Sequence, residues 1–338
     1  MIAHAPGRVN LIGDHTDYSG GLVCPMAIDL GTTVTLTPGG SVVELVSDLE
    51  PAPAVVRLDV TDPGNVTPAW ARYVAGVVAV LRPASGGRGT VSTTLPVGAG
   101  LSSSAALEVA VALALGADGS DPTALAIRCQ EAEQLASGVP CGIMDQLVSL
   151  AGVVGHAVVI DCTTLECAAV RIPDGVEVIV AHSGEGRTLA GSAYADRRRS
   201  VEAAAAALGR PLREASRSDV AGLPDSTLRM RARHVVGENE RVLAFAAALT
   251  AGELHVAGQL MIESHASLSD DFSVSTPAVD SLVARLVATP GVWGARMTGA
   301  GFGGCVVALA RPGTLAGLDL RRAWVVTAAG GARVLDTR

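Results

Sequence analysis

The first hundred residues carry short β-branched or alternating apolar blocks, punctuated by Gly, Pro and Asp. Blocks 22–36, 42–46, 55–60 and 90–95 have the composition and period of strands. The period then lengthens. Residues 102–115 are apolar, rich in good helix formers, and stop at Gly116. Asp121-Pro122 opens a second helix, a capping carboxylate ahead of a proline at the first helical position, and this helix runs to Ala136. A third helix starts near Gly142. Strand patterns return at 153–161, 167–172 and 176–182, followed by helical patterns at 194–208, 226–249, 253–268 and 276–287. Two late strands, 294–297 and 304–310, flank a glycine cluster, and 323–327 reads as a last strand.

Strands before helices, twice over, predict the α+β class with two domains instead of one alternating parallel sheet. The joint falls within 150–180, and the division drawn is 1–165 and 166–338. No Gly/Ser-rich or Pro-rich linker separates the halves, so they are expected to share a tight interface in which a cleft forms. No stretch of 18 uninterrupted apolar residues occurs, and Met1 leads within a few residues into Pro6-Gly7-Arg8 instead of an apolar leader. A cytoplasmic chain with no membrane partner is expected.

Composition narrows the chemistry. Of 338 residues, 49% are hydrophobic and 17% charged, which excludes a disordered chain. Lysine is absent, and Arg supplies all 25 of the strongly basic side chains. A phosphate loop built on Gly-Lys-Ser/Thr is therefore excluded. A net charge of −8, with three each of Phe, Tyr and Trp, lacks the basic, aromatic surface of a nucleic-acid binder. The run Arg197-Arg198-Arg199 reads as a solvated helix face. The six cysteines (24, 129, 141, 162, 167 and 305) include no Cys-x-x-Cys pair and read as thiols of a reducing compartment.

Three segments carry candidate chemistry. In Leu95-Pro-Val-Gly-Ala-Gly-Leu-Ser-Ser-Ser-Ala-Ala-Leu-Glu108, two glycines permit a tight turn and three serines open a helix. Amides at a helix start, together with the positive end of its dipole, suit phosphate oxygens, and serine hydroxyls suit Mg²⁺. In Pro6-Gly-Arg-Val-Asn-Leu-Ile-Gly-Asp-His-Thr-Asp-Tyr18, a dense polar set adjoins a buried strand, the composition of a polyol-binding surface. In Val292-Trp-Gly-Ala-Arg-Met-Thr-Gly-Ala-Gly-Phe-Gly-Gly-Cys-Val306, a glycine loop between two strands can approach a ligand or another loop closely. No helix follows it, which disfavours a dinucleotide fold.

Together these segments resemble the three signature motifs of the GHMP small-molecule kinases, and they are similar to galactokinases within that family. The likeness continues through Gln130-Glu-Ala-Glu133, Cys141-Gly-Ile-Met-Asp-Gln146, Ser192-Ala-Tyr-Ala-Asp-Arg and Arg231-Ala-Arg-His-Val-Val-Gly-Glu238, and so spans nearly the whole chain. The resemblance implies an N-terminal ribosomal-S5-like domain, a C-terminal ferredoxin-like α+β domain and an active site in the cleft between them. It implies an enzyme that uses ATP and Mg²⁺ to phosphorylate the anomeric hydroxyl of a sugar, galactose first; a monomer is expected. By position in the motifs, Asp145 is the general base and Arg8 its partner toward the transferred phosphate. Gly98, Ala99, Gly100, Leu101, Ser102, Ser103 and Ser104 form the ATP phosphate loop, with Ser104 and Glu133 as Mg²⁺ ligands. Asp14, His15, Thr16, Asp17, Gly142 and Tyr194 hold the sugar.

The chain departs from the family pattern at Asp14, where galactokinases have Glu. The side chain is one methylene shorter, roughly 1.3–1.5 Å. This keeps open a sugar differing at C6 or C2, such as arabinose or galactosamine. A non-catalytic sugar sensor is a third reading, opposed by the intact phosphate loop, Asp145 and Arg8. Ser19 after Tyr18 and Ser-Ala-Ala in the phosphate loop are smaller departures that remove no catalytic group.

Overall fold

A computed structural model describes residues 1–96, 98–186 and 190–335, with no side chain described for 190–192. Val97 of the phosphate-loop segment and the Ser192 side chain thus lie outside the described residues. The first part of the chain runs β1 (Ile2–Ile12), β2 (Leu22–Pro38), β3 (Val42–Ser47), β4 (Ala54–Arg57), α1 (Ala71–Leu81) and β5 (Gly87–Thr93). Three helices follow, α2 (Ser103–Ala114), α3 (Pro122–Ser137) and α4 (Met144–Ala151), then the hairpin β6 (His156–Asp161) and β7 (Cys167–Arg171). The remainder runs β8 (Glu177–His182), α5 (Ala190–Leu208), α6 (Arg217–Ala221), α7 (Ser226–Ala251), α8 (Leu254–Asp270) and α9 (Pro277–Val287). It closes with β9 (Val292–Thr298), β10 (Cys305–Ala310), β11 (Ala323–Val326) and β12 (Arg333–Leu335).

The strands form two sheets. The first has the order β12-β1-β2-β5-β3-β4, with β6 added to β2 and β7 to β6. Its pairings are antiparallel except β3 with β5. The second is antiparallel in the order β11-β8-β10-β9. One buried apolar cluster joins the first sheet to α1–α4, and a second packs α7–α9 against β8, β9 and β10. The α+β expectation therefore holds, with the glycine cluster set between β9 and β10 and no helix after it.

Local chemistry explains the helix starts. The Asp121 carboxylate accepts from the Ala124 amide at 2.9 Å, ahead of Pro122, as the sequence predicts. Thr276 caps α9 by the same device, again ahead of a proline. Four elements, β1, α1, α6 and β12, were given no bounds from the sequence. Four valines and Gly76 make α1 look strand-like, and packing decides otherwise: a Cβ on Gly76 would stand 2.3 Å from the Ala132 carbonyl oxygen on α3. The three-residue β12 is defined by its pairing with β1, at the far end of the chain, which local pattern does not encode. The register of β1 against β2 slips between Pro6 and Arg8 and between Asn10 and Ile12. Such bulges re-aim side chains, and here they bracket the polar pair Arg8 and Asn10. Among the described residues no helix is long and apolar enough to cross a membrane.

Candidate active site

Arg8 projects from β1 and is only 4% exposed. Its Nε and Nη2 donate to the two carboxylate oxygens of Asp145 at 2.8 and 2.9 Å, a bidentate fork. Its Nη1 donates to the Gly100 carbonyl at 2.7 Å, tying the fork to the loop before α2. Asp145 sits in the first turn of α4 with 27% of its side chain exposed. The Ser102 hydroxyl donates to its Oδ2 at 2.6 Å. Ser102 itself is left-handed, at φ 59°, as the residue that turns the loop into α2. Gly98 and Gly100 also have positive φ, the conformation that glycine adopts without strain. Ala99 and Leu101 bury their side chains, so the loop presents backbone and serines to the outside.

One turn further, the Ser104 hydroxyl donates to Glu133 Oε1 at 2.8 Å. The Gln146 amide binds Glu133 Oε2 and donates to Glu108 Oε2 at 3.1 Å. Burial, then the neighbouring Asp145, raises the pKa of Glu133; burial, then Glu133, raises that of Glu108 still more. Buried carboxylates with neutral hydrogen-bond partners are what a divalent cation stabilises. Glu108 and Gln146 were not assigned from the sequence, although a lone Glu inside the apolar run of α2 was a visible signal.

A cavity of about 340 Å³ opens above this floor. Arg8, Glu133, Asp145, Gly142, Asp14, His15, Asp17 and Tyr194 line it, joined by Tyr73, Gly299 and Ala300. The predicted catalytic pair, the predicted metal carboxylate and all but one of the predicted sugar residues thus share one space. The exception is Thr16, fully buried, whose hydroxyl lies 2.8 and 2.7 Å from the Gly13 and Leu22 carbonyls and holds the turn. Gly142 earns its place sterically, since a Cβ there would fall 1.8 Å from Asp17 Oδ2.

The third segment reaches back to the first. The Thr298 hydroxyl accepts from the Asn10 amide and donates to the Asn10 carbonyl, at 3.1 and 3.0 Å. The Gly299 amide donates to Asp14 Oδ1 at 3.0 Å. His15 Nε2 faces the Ala300 carbonyl at 3.2 Å and therefore carries the proton, leaving Nδ1 to accept from the Tyr18 hydroxyl at 3.0 Å. Burial, and then His234, lower the His15 pKa to about 3, so the ring is neutral near pH 7. The Tyr18 and Tyr194 rings pack against it at 5.9 and 5.5 Å between centroids.

Asp17 is half-buried, and desolvation, Asp145 and Asp14 push its pKa up to about 7. A carboxyl whose folded pKa lies above its unfolded value stabilises the fold at low pH. That contribution drains away as pH rises from 4 through 7. Asp17→Asn, which mimics the protonated form, is therefore expected to gain thermal stability relative to the parent between pH 5 and pH 8. Melting curves at the two pH values check this; a difference independent of pH contradicts it.

Comparison with known proteins adds the following. A galactokinase galactose-binding signature matches residues 1–38, the GHMP kinase N-terminal domain matches 72–153, and the GHMP kinase C-terminal domain matches 245–322. The chain is 44% identical to a galactokinase of Homo sapiens over 328 residues, 91% of this chain and 83% of that one. It is 46% identical to a galactokinase of Roseiflexus sp. (strain RS-1) over 331 residues, with the same coverage. A crystal structure of Lactococcus lactis galactokinase complexed with galactose superposes with a TM-score of 0.89 at 31% identity, covering 99% of this chain and 95% of that one. A mevalonate kinase shares the fold, with a TM-score of 0.69 at 19% identity over 97% and 98% of the two chains.

Proposed function

This chain belongs to the galactokinase family of GHMP kinases, and we propose that it transfers the γ-phosphoryl group of ATP to the anomeric hydroxyl of α-D-galactose, giving α-D-galactose 1-phosphate and ADP. The observation that carries the reading is the Arg8–Asp145 fork, set against the glycine-serine loop on the floor of a cavity of sugar size.

Asp145 accepts hydrogen bonds from Arg8 and Ser102 and keeps part of its carboxylate open to the cavity. That face takes the proton of the anomeric hydroxyl as its oxygen attacks phosphorus. Arg8 holds Asp145 in one orientation and places positive charge where the transferring phosphoryl develops negative charge. The loop 98–104 supports the phosphates through its backbone and the first turn of α2. Ser104 and Glu133 are hard oxygen donors on adjacent helices, 2.8 Å apart, and they would hold Mg²⁺. When bound there, Mg²⁺ would supply positive charge to offset that of the ATP phosphates.

On the sugar side, Asp14, Asp17 and His15 offer acceptors and a fixed ring, with Tyr194 as an apolar wall. Asp14 is assigned to the C6 end. The thiols of Cys24, Cys129, Cys141, Cys162 and Cys167 support a reducing, cytoplasmic setting.

Measuring ADP release with galactose, 6-deoxygalactose, arabinose and galactosamine tests the reading. Galactose is expected to give the highest kcat/KM; a better substrate among the others would replace it, and no release with any would favour a sensor. In the same assay Asp14→Glu is expected to change the galactose KM by about tenfold and leave the ATP KM within about twofold. Unchanged sugar kinetics would remove Asp14 from the sugar site.

A further inference from the structure

Asp14 reaches the cavity from a fully buried charge network that the motif resemblance does not assign. Arg296 on β9 has no solvent exposure and lies between two buried carboxylates. Its Nη1 stands 2.8 Å from Asp14 Oδ2, and its Nη2 stands 3.6 Å from Glu238 Oε1 on α7. These are ion-pair contacts, since none of the three guanidinium nitrogens has hydrogen-bond geometry to an acceptor. Glu238 in turn accepts from the Gly13 amide at 2.9 Å, from Arg241 Nε at 2.7 Å and from the Ser264 hydroxyl. His234 Nε2 donates to the Asp14 carbonyl at 3.1 Å. The turn that carries Asp14 is therefore gripped at Gly13, at the Asp14 backbone and at the Asp14 carboxylate, in each case by residues of α7 or β9.

Charge makes this grip specific. Asp14 and Glu238 are balanced by Arg296 and Arg241, while His234 is neutral because burial lowers its pKa to about 4. A carboxylate as buried as Asp14 ionises only beside a compensating cation, and Arg296 is the one in contact with it. An aspartate has only two side-chain torsions, so its reach into the cavity is set by its backbone, by the Gly299 amide on Oδ1 and by the cation that holds Oδ2.

We propose that Arg296, locked in place by Glu238, is a positioning residue for sugar selection: it fixes where Asp14 presents its carboxylate to the C6 hydroxyl. The proposal rests on the galactose-kinase reading above. A planar guanidinium spans two carboxylates; an ammonium is a point charge and holds one. The rival role, a salt bridge that only joins the two halves of the chain, would alter stability or both sugars' kinetics equally.

Arg296→Lys is the test, with kcat/KM measured for galactose and for 6-deoxygalactose in the full-length protein. The parent is expected to prefer galactose, and the variant to lose about tenfold of that preference, mainly through the galactose KM. Its KM for ATP and its kinetics with 6-deoxygalactose should stay within about twofold of the parent. Glu238→Gln keeps an acceptor for the Gly13 amide, removes the lock, and should lower the same ratio to a smaller extent. An unchanged ratio in a folded variant overturns the proposal, as does a parent that does not distinguish the two sugars. Failure of both variants to fold also overturns it, by assigning the pair to stability alone. A parent that releases no ADP with galactose sinks the galactose-kinase reading instead, before either variant is made.

Discussion

Asp145→Asn is expected to leave a folded protein that binds ATP and sugar but turns over about 10³-fold more slowly. The amide preserves shape and keeps an acceptor for Arg8 or Ser102, so the floor of the cavity survives. What it loses is the capacity to take a proton and the charge that pairs with the fork. Asp145 is partly open to the cavity, so the buried partner Arg8 regains some hydration and keeps its bond to the Gly100 carbonyl. The melting temperature should therefore move by only a few degrees. Steady-state ADP release and a thermal melt decide the matter. Near-normal turnover would show that the proton leaves by another route.

Arg8→Met is expected to damage both rate and stability. In the proposed mechanism, removing the guanidinium takes away positive charge at the reacting phosphoryl, an expected effect of about 10²–10³ in kcat. It also strands Asp145 beside an apolar side chain and leaves the Gly100 carbonyl without its donor. Breaking a buried pair from one side costs about 3–5 kcal/mol, and the partial exposure of Asp145 brings this toward about 2–3 kcal/mol. Urea unfolding and initial rates measure the two losses. If both residues act on one proton and one phosphoryl, as proposed, the double variant Arg8→Met/Asp145→Asn should lose far less than the product of the single losses. Multiplicative losses would separate their roles.

Legibility in the sequence tracked how local the cause was. The starts of α3 and α9 were marked by a capping side chain and a proline, and both hold. Strand 42–46 and the strands around the third segment were readable from β-branched runs bounded by turn residues. In contrast, α1 carries four valines that argue for a strand, and its helix is decided by contact with α3. The site divides the same way. Arg8, Asp145, Ser104 and Glu133 fall in recognisable segments, and the structure brings them within hydrogen-bond distance in pairs. Thr16 fell in such a segment too, yet its hydroxyl serves the backbone. Arg296 was inside a quoted segment with no role, because its meaning depends on Asp14, 282 positions away, and on Glu238, on a separate helix. Burial of a charge becomes visible only once the partners are in place.

The proposed machinery for moving phosphate, Arg8, Ser102, Ser104, Glu133 and Asp145, comes from β1, α2, α3, α4 and the loop leading into α2. The clasp on the sugar-side turn comes from β9 and the loop after it, through Thr298, Gly299 and Ala300. The transfer apparatus and the backing of the sugar-side turn are thus carried on separable pieces of chain. Grafting the 292–304 segment of a relative with another sugar preference would exchange the backing of Asp14 and His15 and leave those two residues and the transfer apparatus in place.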